Sequence, residues 1–282
     1  MKNNYIRYPD FKAKSFTISF DDNVTQDERL IELMEQYGIK GTFNIIPHWF
    51  RREDDTSIPE DPTYINVTAK VGKELYDKPF IEVANHSYDH AWFNMLPPSM
   101  QLREIQKGRE ELEHFFDRIL TGFAYPYGCF TADTEEILRL AGITYARTVT
   151  STNSFYLPQN WLEWNPTCHY ASENLHSLTN EFLDLTLEDL EVPRCFYVWG
   201  HTFEMDRMDN WNVIEDLFAA MSGKEDIWYA TNGEICDYMK AAEQLVYSMD
   251  ETYIKNPTST EIFMEIDEKK YRIKPGETAI LR

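Results

Sequence analysis

Strand-like and helix-like runs alternate along most of this chain, and that alternation constrains the fold more than any other feature. In SFTISFDDN, Phe16, Ile18 and Phe20 alternate with Thr17 and Ser19, the period of a half-buried strand. DERLIELMEQYG then places Leu30, Ile31, Leu33 and Met34 on one helical face, with Gly38 as its stop. Further strand candidates are GTFNIIP (41–47), PFIEVANH (79–86), FAYPYG (123–128), ITYARTV (143–149), CFYVWGH (195–201) and IWYATN (227–232). A long amphipathic helix is expected through Leu102, Ile105, Leu112, Phe116 and Ile119, with Ser99 as its cap, and another in TADTEEILRLAG. Residues 151–190 resist assignment. Such βα alternation predicts a parallel sheet with helical crossovers, open or closed into a barrel, and 282 residues is an ordinary length for one α/β barrel. The tail differs: residues 257–282 alternate like a β-hairpin around Asp267–Lys269. The expected division is a (β/α) barrel domain over 1–252 and a β-hairpin extension over 253–282.

A net charge of −21 argues against nucleic acid and anionic membrane as partners, since both are polyanions. MKNNYIRYPD has no apolar core of an export signal, and no apolar run approaches the roughly 18 residues of a membrane span. Cys129, Cys168, Cys195 and Cys236 form no CxxC pair and read as reduced thiols. The address expected from these features is the cytoplasm.

The first strand ends on two adjacent carboxylates, Asp21 and Asp22, which repel unless something shares their charge. His86 and His90 lie four residues apart in NHSYDH; if the chain is helical there, both imidazoles share one face, as a metal requires. His86 follows an apolar strand, as the Asp pair does, and so does His201 after FYVWG. In α/β barrels chemistry gathers at the C-terminal ends of strands, so three such ends carrying Asp-Asp, His-x-x-x-His and His form the pattern of one site.

SFTISFDD, NHSYDH, AYPYG and WGH, in this order, resemble the motifs of NodB-type polysaccharide deacetylases, carbohydrate esterase family four. The resemblance spans about residues 15–235. It implies a distorted (β/α) barrel holding one divalent metal, usually zinc, with Asp22, His86 and His90 as ligands, Asp21 as catalytic base and His201 as catalytic acid. The backbone N–H of Tyr127 would help hold the oxyanion. One carboxylate and two imidazoles leave positions open on zinc, which lowers the pKa of bound water from 15.7 to about 7. Adjacent Asp residues can then divide the labour, one holding the cation and the other facing the water.

Two departures stand out. The third motif normally begins with Arg, a partner for the base; here the position is Ala124. Arg147 is the first candidate replacement and Arg194 the second, Tyr145 and Arg147 sharing a strand face by the period of two. The Asp-Trp motif that orients the acid histidine is also not found clearly; Glu204 is one substitute and something in the stretch WLEWNPTCH another, His169 in that stretch reading equally as a structural residue. Of Trp161, Trp164, Trp199 and Trp211, Trp199 is the best stacking wall for a sugar because it lies beside His201. The leading function is removal of N-acetyl groups from a small N-acetylated saccharide. Rivals are hydrolysis of a non-sugar amide, imide or ureide on the same site, a degenerate carbohydrate-binding protein motivated by Ala124, and an iron oxygenase sharing the two-His-one-carboxylate set.

Overall fold

The computed structural model describes residues 4–57, 60–186 and 191–281. The end of the unassigned stretch 151–190 and the last residue of the tail, Arg282, therefore lie outside the described residues, as do the first three of the N-terminal segment. In chain order, β1 (Asn4–Arg7) precedes β2 (Lys14–Asp21), α1 (Asp27–Tyr37), β3 (Gly41–Ile45), α2 (Ala69–Tyr76) and β4 (Ile81–Asn85). Then come α3 (Pro98–Phe116), β5 (Gly122–Ala124), α4 (Ala132–Leu140), β6 (Tyr145–Arg147), β7 (Cys168–His169) and α5 (Leu175–Asp184). The barrel part ends with β8 (Arg194–Gly200), α6 (Thr202–Met208), α7 (Trp211–Met221), β9 (Ile227–Tyr229) and α8 (Asn232–Glu243).

Parallel strands run β6-β5-β4-β3-β2-β8-β7, with β9 also pairing β2. The sheet curls: the segment leading into β7 bridges back to β6 through Arg147↔Trp164 while β7 itself pairs β8. This is the distorted (β/α) barrel expected from the motifs.

β2 is buried along its whole length, rather than on one face as its alternation suggested. Phe16, Ile18 and Phe20 pack with Leu30, Met34, Phe196, Val198 and Ile214 against the helical layer. The opposite face is polar but satisfied. Thr17 donates to Asn232 at 2.8 Å, and Ser19 meets the Tyr197 hydroxyl at 2.9 Å. A period of two therefore arises here from a polar barrel interior, not from solvent, and Asp21 is the next residue on that same inner face.

Some helix ends follow the local chemistry and others do not. Gly38 closes α1 at φ 67°, where glycine avoids the Cβ clash of the left-handed region. Thr131 and Thr134 form a reciprocal cap at the start of α4. Ser99 does not cap α3; that helix begins at Pro98 with Pro97 as its cap residue, proline supplying a pre-set φ at the first turn. Among the described residues, no helix is long and apolar enough to cross a membrane. All four cysteines are unpaired.

The C-terminal strands are β10 (Val246–Tyr247), β11 (Tyr253–Lys255), β12 (Ile262–Ile266), β13 (Lys269–Ile273) and β14 (Thr278–Ile280). β12 and β13 form the hairpin expected around Asp267, whose turn residues Asp267 and Glu268 both have positive φ. The pattern did not reveal its partner, the N-terminal β1, which pairs with β12 from the far end of the chain. Ile254, Ile262, Met264 and Ile273 join Tyr8, Trp164 and Tyr238 in one buried cluster.

Candidate metal centre and active site

Strand register brings the motif residues to one rim. Asp21 lies beside Asn44, Ile45 beside Asn85, Ala124 beside Arg147, and Phe20 beside Gly200, which precedes His201. The adjacent carboxylates reach the same space because the strand stops between them. Asp22 has φ 83° and Asn23 φ 44°, so the chain turns sharply where a continued strand would send Asp22 to the opposite face. The turn is pinned by side chains: Asn66 donates to the Asp22 carbonyl at 2.6 Å, and Asn23 accepts the Ile46 N–H at 3.0 Å. Holding a non-glycine residue in such a conformation costs on the order of 1–3 kcal/mol, a kind of strain that clusters at functional sites.

His86 and His90 converge by a similar device rather than by a helix. Ser87 has φ 63° and His90 φ 52°, and a left-handed turn carries the second imidazole back over the first, ring centres 4.8 Å apart. His86 Nδ1 lies 2.8 Å from the Ala124 carbonyl, which can only accept, so Nδ1 carries the proton and Nε2 is bare. That bare nitrogen faces Asp21 Oδ2 at 3.6 Å and Asp22 Oδ1 at 3.8 Å. Burial lowers the pKa of His86 and takes that of His90 down to about 3, so both imidazoles are neutral. His90 Nε2 is 3.9 Å from Asp22 Oδ1, a buried oxygen without a hydrogen-bond partner among the described residues.

A neutral lone pair aimed at two carboxylates is repulsive unless a cation lies between them. Asp22, His86 and His90 offer ligand atoms all within 4.8 Å of one another. The Ala124 carbonyl fixes the His86 tautomer, the kind of outer support that metal-bound histidines usually have. The donor set therefore fits a divalent cation.

Asp21 has a different environment. Asn44 donates to its Oδ1 at 2.7 Å, and Arg147 Nη2 donates to both of its oxygens. Arg147 and Asp21 are 1% and 2% exposed, so this pair is screened little by water. Burial pushes the Asp21 carboxyl up, but the Arg147 guanidinium above all outweighs it and holds the group well below the usual carboxylate range. Asp22 lacks such a partner, and burial raises it. Two neighbours of identical type thus differ in charge support. The Arg147 guanidinium also lies over the Trp199 ring, 4.5 Å from its centre.

Across the rim, His201 Nε2 is 3.7 Å from Asp21 Oδ2 and its Nδ1 is 3.2 Å from Glu204 Oε1. Burial works against the imidazolium, but Glu204 and Asp21 raise its pKa to about 9. Tyr127 has φ 56°, occupies the second position of a one-turn helix where its N–H has no intrahelical acceptor, and stacks on Trp92 with ring centres 3.7 Å apart. Its ring also meets the edge of His90 at 4.4 Å. Trp49, 5.1 Å from His90, and Tyr64 extend the aromatic wall. Arg194, the second candidate for Asp21, instead lies over Tyr156.

The family model for polysaccharide deacetylases matches residues 9–146. This match covers just under half of the chain. It contains Asp21, Asp22, His86, His90, Ala124 and Tyr127; Arg147, Trp199, His201 and Glu204 lie beyond it. No curated protein matches the sequence. Among solved structures, a protein from Mycobacterium smegmatis assigned as a polysaccharide deacetylase is similar at a TM-score of 0.61 and 15% identity, covering 84% of this chain and 94% of that one. A pseudoenzyme of carbohydrate esterase family four from Bacillus anthracis is similar at 0.50 and 17%, covering 83% and 68%. A Streptococcus pyogenes deacetylase in complex with acetate aligns at 0.44 and 19% over 52% of this chain, which spans 61% of that relative's length. At such identities the likeness speaks to the fold alone.

Several residues of this candidate site were not singled out by sequence. Asn44 carries the one legible signal, a polar residue inside the apolar run GTFNI; Asn23, Asn66 and Trp92 carry none without the register and turns that bring them in.

Proposed function

We propose that the chain is a metal-dependent hydrolase that removes N-acetyl groups from a small N-acetylated saccharide. The observation that carries this reading is the convergence of the Asp22–His86–His90 cluster, the Arg147-held Asp21 and His201, whose Nε2 lies 3.7 Å from Asp21 Oδ2, on the same opening. Asp22, His86 and His90 would hold one divalent cation, zinc being the ion that the resemblance to the deacetylases implies and the donor set accepts. When bound, that cation supplies an activated water and polarises the acyl oxygen. Asp21, ionised and oriented by Arg147 and Asn44, accepts the proton that water loses as its oxygen bonds to the acyl carbon. His201 donates a proton to the amine nitrogen as the C–N bond breaks, so acetate and a free amine leave. The Tyr127 N–H is the candidate donor to the oxyanion. Arg147 takes the part left empty at Ala124, reaching Asp21 from the next strand in register.

The test is release of acetate and free amine from N-acetyl mono- and oligosaccharides, with insoluble peptidoglycan in the same panel. Short substrates are expected to react faster, and the −21 charge disfavours strongly anionic polymers. Faster release from the polymer would overturn the small-saccharide reading. A second reading, a degenerate carbohydrate-binding protein, draws on Ala124; the buried Arg147–Asp21 pair weighs against it.

Three expected outcomes follow from the geometry. Arg147→Ala leaves Asp21 buried without its cation, so turnover falls sharply with little metal loss, and stability drops by about 3–5 kcal/mol in thermal unfolding. Retained turnover and an unchanged melting point would remove Arg147 from the site. In the pH profile of kcat/KM, His201 must be protonated to act, so activity persists below its pKa and is lost as pH rises through it. The alkaline limb should fall at about 9 or below, because a bound cation repels the imidazolium. A profile flat to pH 10 would exclude this acid. Trp92 and Tyr127, 47% and 46% exposed, present a stacked surface at the rim. Trp92→Ala should raise KM for oligosaccharides about 2- to 10-fold with kcat kept, matching an aromatic contact of roughly 0.5–1.5 kcal/mol. An unchanged KM would place the substrate elsewhere.

A further inference from the structure

His169, His201 and Glu204 form a second cluster of potential ligand atoms beside the first. Its hydrogen-bond directions decide between a second cation and a relay. The Ala171 backbone N–H donates to His169 Nδ1 at 3.2 Å, so Nδ1 is the bare nitrogen and the ring proton lies on Nε2. A protonated Nε2 cannot bind a metal, but it can donate, and it lies 3.1 Å from Glu204 Oε2. The other carboxylate oxygen, Oε1, is 3.2 Å from His201 Nδ1.

We infer that His169, acting through Glu204, is a positioning residue that holds His201 with its Nδ1–H on the carboxylate and its Nε2 turned toward Asp21. The inference rests on the reading of His201 as the acid and fills the place of the missing orienting aspartate. Glu204 cannot hold His201 well alone: it stands on the first turn of a short helix and is half-buried, free to swing outward unless its second oxygen is engaged. His169 supplies that engagement from β7, in register with Trp199 two residues before His201. Gly200 permits the approach, since a Cβ there would come within 2.4 Å of Tyr170 and 3.3 Å of His169 Nε2. The contacts are close but off-line, leaving Glu204 Oε2 and His201 Nδ1 without well-aligned bonds, as catalytic hydrogen bonds often are before substrate binds. The pKa of Glu204, which burial raises, is brought down to about 2 by His169 and His201, in keeping with an ionised centre between two donors.

The test uses the full chain labelled with 15N-histidine, reading each imidazole's tautomer from long-range 1H–15N spectra beside kcat for acetate release. His169 should show the Nε2–H form, and a His201 Nδ1–H signal should be visible. In His169→Ala that signal should be lost to exchange with water and kcat should fall about tenfold. His169→Gln, whose amide can still donate to Glu204, should restore the signal and bring kcat within about threefold of the parent. A His169 in the Nδ1–H form, an Ala variant that keeps signal and rate, or binding of a second zinc equivalent that shifts His169 overturns the relay. The wild-type spectrum decides even if a variant fails to fold. If the tautomers are as stated but His201→Ala keeps full turnover, the acid reading fails instead, and the relay loses its catalytic role.

Discussion

Asp21→Asn is expected to retain one equivalent of bound metal while lowering turnover by about 10²–10⁴-fold, the usual contribution of a positioned general base. The amide removes the proton acceptor but keeps the carbonyl oxygen that receives Arg147 and leaves Asp22, His86 and His90 intact. Some stability is also lost, because Arg147 becomes a buried cation without a counter-charge. The informative quantity is therefore kcat on the folded, metal-loaded fraction, checked by metal analysis and thermal unfolding. Equal metal loss in Asp21→Asn and Asp22→Asn would show that the two carboxylates do not divide their work as proposed.

His86→Ala should have the opposite signature. With one of three ligands gone, metal affinity should fall by more than the roughly 10–100-fold that loss of an outer partner costs, and turnover should vanish with the metal. Asp22→Ala and His90→Ala should behave alike. The fold should survive, since each removes a group whose burial is unfavourable without a cation: a lone pair facing carboxylates in one case, an unpartnered oxygen in another. Dialysis followed by metal analysis reads this directly. Full metal retention in any of the three would remove that residue from the ligand set.

The barrel was legible because apolar runs of strand length alternate with 3.6-period runs, and because strand ends carry the unusual residues. The route by which these residues meet was less so. Sequence spacing placed His86 and His90 together through a helix, whereas positive φ at Ser87 and His90 does so through a turn. NHSYDH contains no glycine to announce such a turn. The inner face of β2 read as solvent-facing because Thr17 and Ser19 look alike in water and in a polar barrel interior; only Tyr197 and Asn232, distant in sequence, distinguish the two. Arg147 was reachable from sequence as a same-face neighbour of Tyr145, but its contact with Asp21 depends on a register, Ala124↔Arg147, that no local pattern encodes. β1 finding β12 is similarly non-local, decided by which edge was left unpaired.

In the proposed mechanism one cation held by Asp22, His86 and His90 supports deacetylation by Asp21 and His201. The most direct measurement is zinc titration of metal-free protein, following bound metal and acetate release from an N-acetyl oligosaccharide together. The predicted result is a rate that rises in step with bound zinc and breaks at one equivalent. Zinc bound at one equivalent with no acetate from any N-acetyl saccharide, or acetate released at full rate before zinc is added, would contradict it.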